Sequence, residues 1–430
     1  MRTTAIALLV CALIAALIAG CGGSSSPTGG SSGGGTNITV WEGYTSAEAT
    51  EIKALAQQFN ATHHGITVTV QSDGNNDYAL QKVLAAIAGG NPPDIAYLYG
   101  SWAANIATNP NVVTINHLIA ADPSFHWQDF WPAARLAATV NGKIVGVPAL
   151  IDNLALVYNK RLFARAHLAT PTANWTWSQF QNAAEKLTNP SAKQFGWAYV
   201  NDGSEDTVWR FWATLWQAGG SILTPNGRQA AFDSPAGVHA LSFLQTLAHR
   251  NATYLDNGNG SYLGLFNSGH IGMLWTGPWD LSQIITSKVP YGVEILPAAL
   301  NHQTISGPDN WVMFNNGKAR SAASWTFLKW LMSPAIDLKW SIATGDLPMR
   351  RSVIAQPGYA TFTKRYPGID NWVKNLSNAV QARPTITAYP KISPIVGQAV
   401  QSVLLGRATP QQALSQAASQ VNALLAAPGG

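Results

Sequence analysis

The sequence predicts an α/β fold built as two lobes, and two observations lead there. Strand and helix patterns alternate in the first part of the chain: strand Asn37–Trp41, helix Ser46–Asn60, strand Ile66–Gln71, helix Tyr78–Ala88 and strand Asp94–Tyr99. The strands are rich in β-branched residues and the helices carry apolar side chains at helical spacing, which is typical of a parallel α/β sheet. In addition, the 430 residues exceed what one hydrophobic core usually serves.

The remaining segments continue this alternation, with turn-forming residues between them. Strands are predicted at Gly142–Pro148, Leu154–Asn159, Phe195–Val200, Tyr291–Pro297 and Trp311–Asn315. Helices are predicted at Trp177–Leu187, Asp206–Ala218, Pro235–Arg250, Arg320–Met332, Pro334–Thr344, Ile395–Leu405 and Pro410–Leu425. Thr176 and Ser234 are suited to cap two of these helices. We interpret Gly142–Pro148 as the first crossing between the lobes.

The composition is that of a folded protein with a polar, weakly charged surface. Hydrophobic residues make up 47% of the chain and charged residues 11%, which argues against disorder. The formal charge is +5, and the Lys and Arg residues are scattered rather than grouped. Nucleic-acid binding requires a basic stripe, so we expect no nucleic-acid partner.

The first residues have the pattern of an export signal. Residues 1–20 combine Arg2 with the apolar run Ala5–Ile18, which is too short for a comfortable membrane span. The segment that ends at Cys21 resembles the bacterial lipobox, although an ordinary secretory signal with an incidental Cys is the alternative. Residues 21–36 are Gly/Ser-rich and predict a flexible tether. We therefore expect a protein that is lipid-anchored through Cys21 on the outer face of the bacterial cytoplasmic membrane.

The two cysteines limit the chemistry of the mature chain. Cys11 lies in the leader, so only Cys21 would remain, and neither an intrachain disulfide nor a cysteine metal site is possible. The segment Asp73–Asp77 begins like a calcium loop, but Tyr78 and Leu84 occupy positions that require Gly and Glu. Metalloprotease, phosphate-loop and serine-hydrolase motifs do not occur. We expect no metal and no cofactor.

The stretch Gly269–Asp280 (GHIGMLWTGPWD) predicts a ligand contact. A short buried strand around Met273–Trp275 is broken by Gly277-Pro278, since Pro fixes φ and has no N–H. Trp279 then lies just beyond the strand end, and ligands of open α/β sheets lie outside the carboxyl ends of strands. We interpret Trp279 as a platform on which a sugar ring stacks; a core Trp that caps the strand is the alternative.

Several further motifs occur in a fixed order along nearly the whole mature chain. They are Ile38–Tyr44, Gly90–Ile95, Asn141–Pro148, Asp152–Lys160, Ile271–Trp279, Tyr291–Pro297, Ala323–Leu331, Gly345–Arg350 and Leu405–Ala413. In this set and order the chain resembles the extracellular solute-binding proteins of sugar-importing ABC transporters, the group that includes maltose-binding protein.

The resemblance implies an architecture and a set of partners. It implies a two-lobed, type II periplasmic-binding-protein-like fold with an interlobe hinge and a ligand cleft. Lobe 1 would contain residues 37–147 and about 308–345, and lobe 2 residues 148–307 and about 346–430. The implied partners are a carbohydrate or related polyol and the permease subunits of an ABC transporter, with the protein itself a monomer.

The implied site combines aromatic faces for sugar C–H groups with polar side chains for hydroxyls. Trp279 matches the family's Gly-Pro-Trp. Asp152 stands where related binders carry an acidic hydroxyl acceptor, with Asn153 beside it; a turn cap is the alternative. Glu42 and Tyr44 follow the first strand, where Glu42 could equally be a solvated loop charge.

Five other residues complete the expected site. Trp102 could rim the cleft or cover the surface, and Trp209 lies on an aromatic helix near a stacking position of the family. Trp311 begins a strand where family members contact ligand. Arg350 and Arg383 could grip hydroxyls or a phosphate, or form interlobe salt bridges.

Two departures from the maltose-binding members weigh against a maltodextrin ligand. Only Tyr389 occupies the region of their C-terminal stacking Trp, and Ser101-Trp102 replaces an Asp-Arg pair. The rival class is a surface-anchored glycan hydrolase, for which Glu42 and Asp152 are the candidate carboxylates. A third class is a lipid-anchored adhesion or scaffold protein, which would not need an aromatic cleft.

Overall fold

The computed structural model describes residues 35–44, 46–72 and 79–427. The expected leader, Cys21, most of the tether and the segment Asp73–Asp77 lie outside the described residues. Among the residues that are described, no helix is both long enough and apolar enough to cross a membrane.

The described strands form two five-stranded sheets and one small ribbon. In chain order they are β1 (Thr36–Glu42), β2 (Ile66–Ser72), β3 (Ile95–Tyr99), β4 (Thr139–Val140), β5 (Lys143–Ile144), β6 (Val147–Leu150), β7 (Ala155–Asn159), β8 (Phe195–Val200), β9 (Thr253–Asp256), β10 (Ile271–Thr276), β11 (Tyr291–Glu294) and β12 (Asp309–Met313).

Helices connect and cover these strands. The α-helices of the described part are α1 (Ser46–Thr62), α2 (Ala79–Ala88), α3 (Ala103–Ile106), α4 (Asn116–Ala121), α5 (Pro132–Ala137), α6 (Lys160–Arg165), α7 (Trp177–Leu187), α8 (Glu205–Gln217), α9 (Pro235–His249), α10 (Ser261–Asn267), α11 (Leu281–Ser287), α12 (Lys318–Leu331), α13 (Pro334–Thr344), α14 (Tyr359–Arg365), α15 (Ile369–Asn375), α16 (Tyr389–Leu404) and α17 (Pro410–Ala426).

The first sheet has the spatial order β2-β1-β3-β12-β6. Strand β1 is parallel to both β2 and β3, as the strand–helix alternation predicts. Strand β12 is antiparallel to β3 and to β6, so the chain returns to this sheet after it has built the second one. The side chains of Ile38 and Val40 pack under α1 and α12, with Leu55 and Phe59 in the same core.

The second sheet has the order β11-β7-β10-β8-β9. Strand β10 lies in its centre, antiparallel to β7 and parallel to β8. Helix α8, predicted for its aromatic residues, is buried over most of its length because Trp212 and Trp216 face a core shared with α9, α16 and α17. The stretch that contains β10 is therefore central to this half of the chain.

Local signals set the helix ends where capping was predicted. Thr176 and Gln179 form a reciprocal capping box at α7. The Ser234 hydroxyl accepts a hydrogen bond from Gly237 N at 3.4 Å at the start of α9. Side-chain oxygens at these positions satisfy N–H groups that have no partner within the helix.

Two predicted elements need correction. Gly142–Pro148 is not one strand, because β5 and β6 are separated by Val145-Gly146 and β6 continues to Leu150 within the first sheet. Helix α16 begins at Tyr389 rather than Ile395, since Pro390 occupies the first turn, where a missing N–H costs nothing. The sequence analysis also missed several shorter elements: β4, β9, α3, α4, α5, α6, α10, α14 and α15.

Candidate functional site

A cleft of about 820 Å³ opens where strands of the two sheets end. It is lined by Gln81, Tyr99, Ser101, Trp102, Asp152, Asp202, Ser204, Glu205, Asp206, Trp209, Gly258, Trp279, Gly307, Asp309, Arg383, Tyr389, Pro390, Ser393 and Pro394. A smaller recess of about 170 Å³ adjoins it and shares Tyr99, Asp152, Trp279 and Asp309. Tyr44, Glu48, Tyr97, Leu150 and Asp346 complete the lining of the recess.

The topology explains why these side chains meet. Asp152, Asp202 and Trp279 each follow the carboxyl end of a strand, namely β6, β8 and β10. Asp309 instead begins β12, which runs antiparallel to β3, so that its amino end lies beside Tyr99. In the first sheet the carboxyl end of β6 lies beside the amino end of β12, and in the second sheet the carboxyl ends of β8 and β10 lie together. Ligands of such sheets bind outside these ends.

Trp279 and Trp209 form an aromatic corner of the cleft. Their ring centroids are 5.7 Å apart and their planes are inclined at 52°. Trp279 is half-buried, whereas Trp209 is 6% exposed. A Cβ on Gly277 would lie 1.9 Å from Cζ3 of Trp279, so only glycine lets the indole fold back over its own turn. Both indoles line the cleft, and the buried Trp209 packs against the more exposed Trp279.

Asp152 and Asp309 place two carboxyl groups between the cleft and the recess. Asp152 Oδ1 accepts a hydrogen bond from Gly307 N at 2.6 Å. Asp309 accepts one from the Tyr97 hydroxyl at 2.5 Å and one from Gly100 N at 3.3 Å. Burial raises the pKa of Asp152 to about 8 and that of Asp309 to about 7. These groups can accept or donate hydrogen bonds to ligand hydroxyls according to their protonation.

Arg383 lies at the opposite side of Gly307. A Cβ on that glycine would be 3.1 Å from Asp152 Oδ1 and 3.3 Å from Arg383 Nη2, so a side chain would crowd both. Arg383 Nη1 forms an ion pair with Glu205 Oε1 at 3.0 Å. The Tyr389 hydroxyl donates to the same oxygen at 3.0 Å, and Ser393 donates to Glu205 Oε2. The guanidinium is thus held in a fixed position at the cleft wall.

Two of the expected site residues near the first sheet and hinge do not line the cleft or the recess. Glu42 is 1% exposed, and its Oε2 accepts a hydrogen bond from Tyr44 N at 2.7 Å. Asn153 is fully buried: it donates to Trp372 O at 2.9 Å and accepts from Asn375 at 2.8 Å. Because Glu42 is turned into the protein, the pair Glu42 and Asp152 considered for a hydrolase does not face one space.

Trp311 and Arg350 also lie away from the cleft. The Trp311 ring packs edge-on against Tyr44 and Tyr97 and borders a small internal cavity. Arg350 is 3% exposed and donates to the carbonyls of Met332, His126 and Phe125. Its guanidinium also lies 4.1 Å from the Phe130 ring centroid and 3.7 Å from Asp129, so its role is to join segments of the core.

The expected residues that the structure does bring together are Tyr44, Trp102, Asp152, Trp209, Trp279 and Arg383. Sequence reasoning missed Glu205, although it follows the capping residue Ser204 just past β8, where the strand-end rule would have found it. No sequence signal pointed to Asp309. It begins β12, and only the pairing within the sheet shows that β12 runs antiparallel to β3 and brings this end to the cleft. In the described part of the chain, no group of three or more His, Cys, Asp or Glu side chains could hold a metal ion.

Relatives of this chain in sequence are bacterial binding proteins. The family model described as bacterial extracellular solute-binding protein matches residues 54–369. The chain is similar to the sn-glycerol-3-phosphate-binding periplasmic protein UgpB of Escherichia coli strain K12, with 25% identity over 421 residues. That match covers 91% of this chain and 92% of UgpB.

Solved structures share the fold. The cyclic alpha-maltosyl-1,6-maltose binding protein from Arthrobacter globiformis is 28% identical and superposes with a TM-score of 0.79, covering 91% of this chain and 99% of that one. An ABC transporter solute-binding protein from Thermotoga lettingae TMO, bound with alpha-D-tagatose, is 26% identical with a TM-score of 0.77 and coverage of 91% and 100%. The two-lobed, periplasmic-binding-protein-like α/β fold expected from the sequence is confirmed.

Proposed function

The chain belongs to the bacterial extracellular solute-binding proteins, and from that premise we propose that its ligand is a carbohydrate or related polyol held in the cleft. The protein acts outside the cytoplasm as the solute-binding component of an ABC transporter. The observation that carries the choice of ligand is the corner formed by Trp279 and Trp209, with Asp152 and Arg383 on the walls around it.

The chemistry of the cleft fits a polyhydroxylated solute. An indole face covers the C–H side of a sugar ring, while carboxyl and guanidinium groups bind the hydroxyls around its rim. Arg383 is already paired with Glu205, and none of the described residues that line the cleft adds a second basic side chain. This favours hydroxyls over a phosphate as the partners of Arg383, since phosphate recognition usually combines several cationic donors.

Ligand capture is proposed to couple to closure of two lobes. The Asn105 side chain donates to Thr387 O at 3.0 Å, which joins α3 of the first sheet's half to the segment before α16. Trp102, Pro390 and Pro394 all line the cleft. A ligand that binds the closed form more tightly shifts the population toward it, and the permease then recognises that form.

The proposal also includes the lobe boundaries, the lipid anchor, the tether and the monomeric state that the sequence predicts. The lobes would divide near residues 147, 307 and 345, with each sheet at the centre of one lobe. Cys21 would carry the lipid anchor that keeps the protein at the outer face of the cytoplasmic membrane, and residues 21–36 would be the tether. The protein would work as a monomer whose partners are the ligand and the permease subunits.

A ligand screen tests the proposal directly. The mature chain is heated with monosaccharides, oligosaccharides, polyols and glycerophosphodiesters, and each mixture is then separated by chromatography. We expect one carbohydrate or polyol to raise the melting temperature and to be recovered unchanged, since a ligand that binds only the native state stabilises it. A cleaved sugar would indicate a hydrolase, and a phosphodiester as sole ligand would contradict the polyol assignment.

A further inference from the structure

The recess beside the cleft is acidic and aromatic. Four of its nine described lining residues carry carboxyl groups, namely Glu48, Asp152, Asp309 and Asp346, and none of the nine carries a positive charge. Four others are aromatic: Tyr44, Tyr97, Tyr99 and Trp279. Carboxyl groups gathered away from bulk water repel one another unless they are protonated or neutralised by a cation.

A second feature is independent of this acidic cluster. The Tyr44 side chain is 4% exposed, and its hydroxyl has no hydrogen-bond partner among the described residues. Tyr44 lines the recess together with Glu48, Asp346 and Asp309, and after burial itself the charges of these carboxyls raise the pKa of Tyr44 further. A buried hydroxyl left without a partner is costly, so its position indicates an atom of a ligand that completes the bond.

Burial favours the protonated, uncharged form of three carboxyl groups of the recess. Burial raises the pKa of Asp152 to about 8, of Asp309 to about 7 and of Asp346 to about 6. Asp346 also accepts a hydrogen bond from Trp340 Nε1 at 2.8 Å and bonds to Glu48. Arg383 is the neighbouring cation: its Nη1 is paired with Glu205, and its charge opposes the rise in the pKa of Asp152 and Asp309 without cancelling it.

The lining distinguishes a metal ion from an organic cation. No set of three ligating side chains in the described residues could hold a metal ion, so the carboxyls are too dispersed for one. Tyr44, Tyr97 and Trp279 line the recess, and aromatic rings attract an ammonium group through their quadrupoles. A volume of about 170 Å³ accommodates an amino group with the carbon atoms next to it.

We propose that the recess binds a protonated amino group, so that the transported solute is an amino sugar or amino polyol. This inference rests on the proposed function and narrows its ligand class. The carbon skeleton lies against Trp279 in the cleft, and the ammonium group enters the recess to donate hydrogen bonds to the Asp309 and Asp346 carboxyls. The Tyr44 oxygen accepts from the same group.

Isothermal titration of matched pairs tests the inference. The probes are glucosamine with glucose, galactosamine with galactose, and 1-amino-1-deoxysorbitol with sorbitol, all at pH 7.5. We expect at least one amine to bind about tenfold tighter than its hydroxyl partner. Asp346→Asn keeps the acceptor for Trp340 but removes a charge, and it should reduce this preference to about twofold or less.

One control variant and one alternative recess variant complete the experiment. Asp370→Asn removes an exposed carboxylate on α15 that accepts a bond from Tyr359, and it should leave the preference intact. Glu48→Gln serves as the second recess variant if Asp346→Asn does not fold, with folding checked by circular dichroism. Both recess variants should weaken amine binding more than binding of the neutral partner.

The outcomes distinguish a failure of the amine assignment from a failure of the proposed carbohydrate binding. Equal or tighter binding of the neutral partner in every pair overturns the amine assignment and leaves carbohydrate binding in place. The same holds if a neutral sugar from the wider screen binds while no amine does, or if Asp346→Asn and Glu48→Gln keep the preference unchanged. If no carbohydrate, polyol or amine binds at all, the proposed function fails and the inference fails with it.

Discussion

The indole rings of Trp209 and Trp279 meet at 52° with their centroids 5.7 Å apart, although the two residues come from different elements of the second sheet's half. Trp209 lies on α8, and Trp279 lies in the turn after β10. Because the planes are tilted, the pair forms a corner rather than a stack. Trp209 is held in the core, so it fixes the position of the more exposed ring.

Removal of the exposed ring should cost affinity and little stability. We expect Trp279→Ala to weaken ligand binding by about 1–3 kcal/mol, because it deletes the apolar face on which the ligand rests. The melting temperature without ligand should change little, since Trp279 is only half-buried. Calorimetric titration with the ligand from the screen measures the first effect and thermal unfolding the second.

Trp41→Ala is the matched control, because Trp41 is also half-buried but lies outside the cleft, bonded to Gln71 at 2.8 Å. If both variants bind as tightly as the parent, Trp279 is not part of the site.

The Arg383–Glu205 pair should be important for stability as well as for binding. Arg383 is 8% exposed at its side chain, so Glu205→Ala leaves a buried guanidinium without its partner. We expect a loss of about 2–3 kcal/mol in the free energy of unfolding, measured by urea denaturation.

Glu185→Ala provides the comparison, since it removes the partner of Arg250 in a pair at 2.6 Å whose side chains are 55% and 32% exposed. Such a surface pair should contribute less than about 1 kcal/mol. Equal losses in the two variants would mean that Arg383 is satisfied by other groups.

Loss of the hydroxyl group from two tyrosines of the recess should change the free energy of unfolding in opposite directions. Tyr44→Phe removes an oxygen that has no partner among the described residues, so the protein without ligand should gain about 1 kcal/mol of stability while ligand affinity falls. Tyr97→Phe removes a hydroxyl that donates to Asp309 at 2.5 Å, so it should lower stability. Urea denaturation of both variants checks the sign, and a destabilised Tyr44→Phe would argue that this hydroxyl is already bonded.

Stability without ligand should fall as the pH rises from about 5 to 8. The pKa of Asp152 is raised to about 8 and that of Asp309 to about 7, both mainly by burial. Between the unfolded-state pKa near 4 and these values, the folded protein holds protons that the unfolded chain has released, so a higher pH favours unfolding.

Melting temperatures measured across this range should decline, and the double variant Asp152→Asn with Asp309→Asn should flatten the decline. A melting temperature that rises from pH 5 to 8 would show that these carboxyls are charged in the folded protein.

The strand and helix content could be predicted closely because it depends on local patterns. Neighbouring residues indicate the alternation that begins at β1 and β2 and the capping box at Thr176. They also indicate the end of strand β10 before Gly277-Pro278. Local patterning and capping act over a few residues, so they can be read without the fold. The rule for strand ends identified Trp279, whereas Asp152 was predicted from the family resemblance.

The site itself depended on distant contacts. Glu42 and Tyr44 are two residues apart and were equivalent in sequence, yet Glu42 turns into the protein while Tyr44 lines the recess. Arg350 and Arg383 likewise looked alike, but the first binds three backbone carbonyls of the core and the second reaches the cleft beside Glu205.

The sequence by itself determined the α/β class, most elements and the family, because these follow from short-range periodicity and from ordered motifs. Only the tertiary structure decided which polar side chains share the cleft. Asp309 lies beside Tyr99 because β12 returns antiparallel to β3 after more than two hundred residues. The burial that raises the pKa values of Asp152 and Asp309 comes from segments far apart in the chain, so no local pattern could have indicated it.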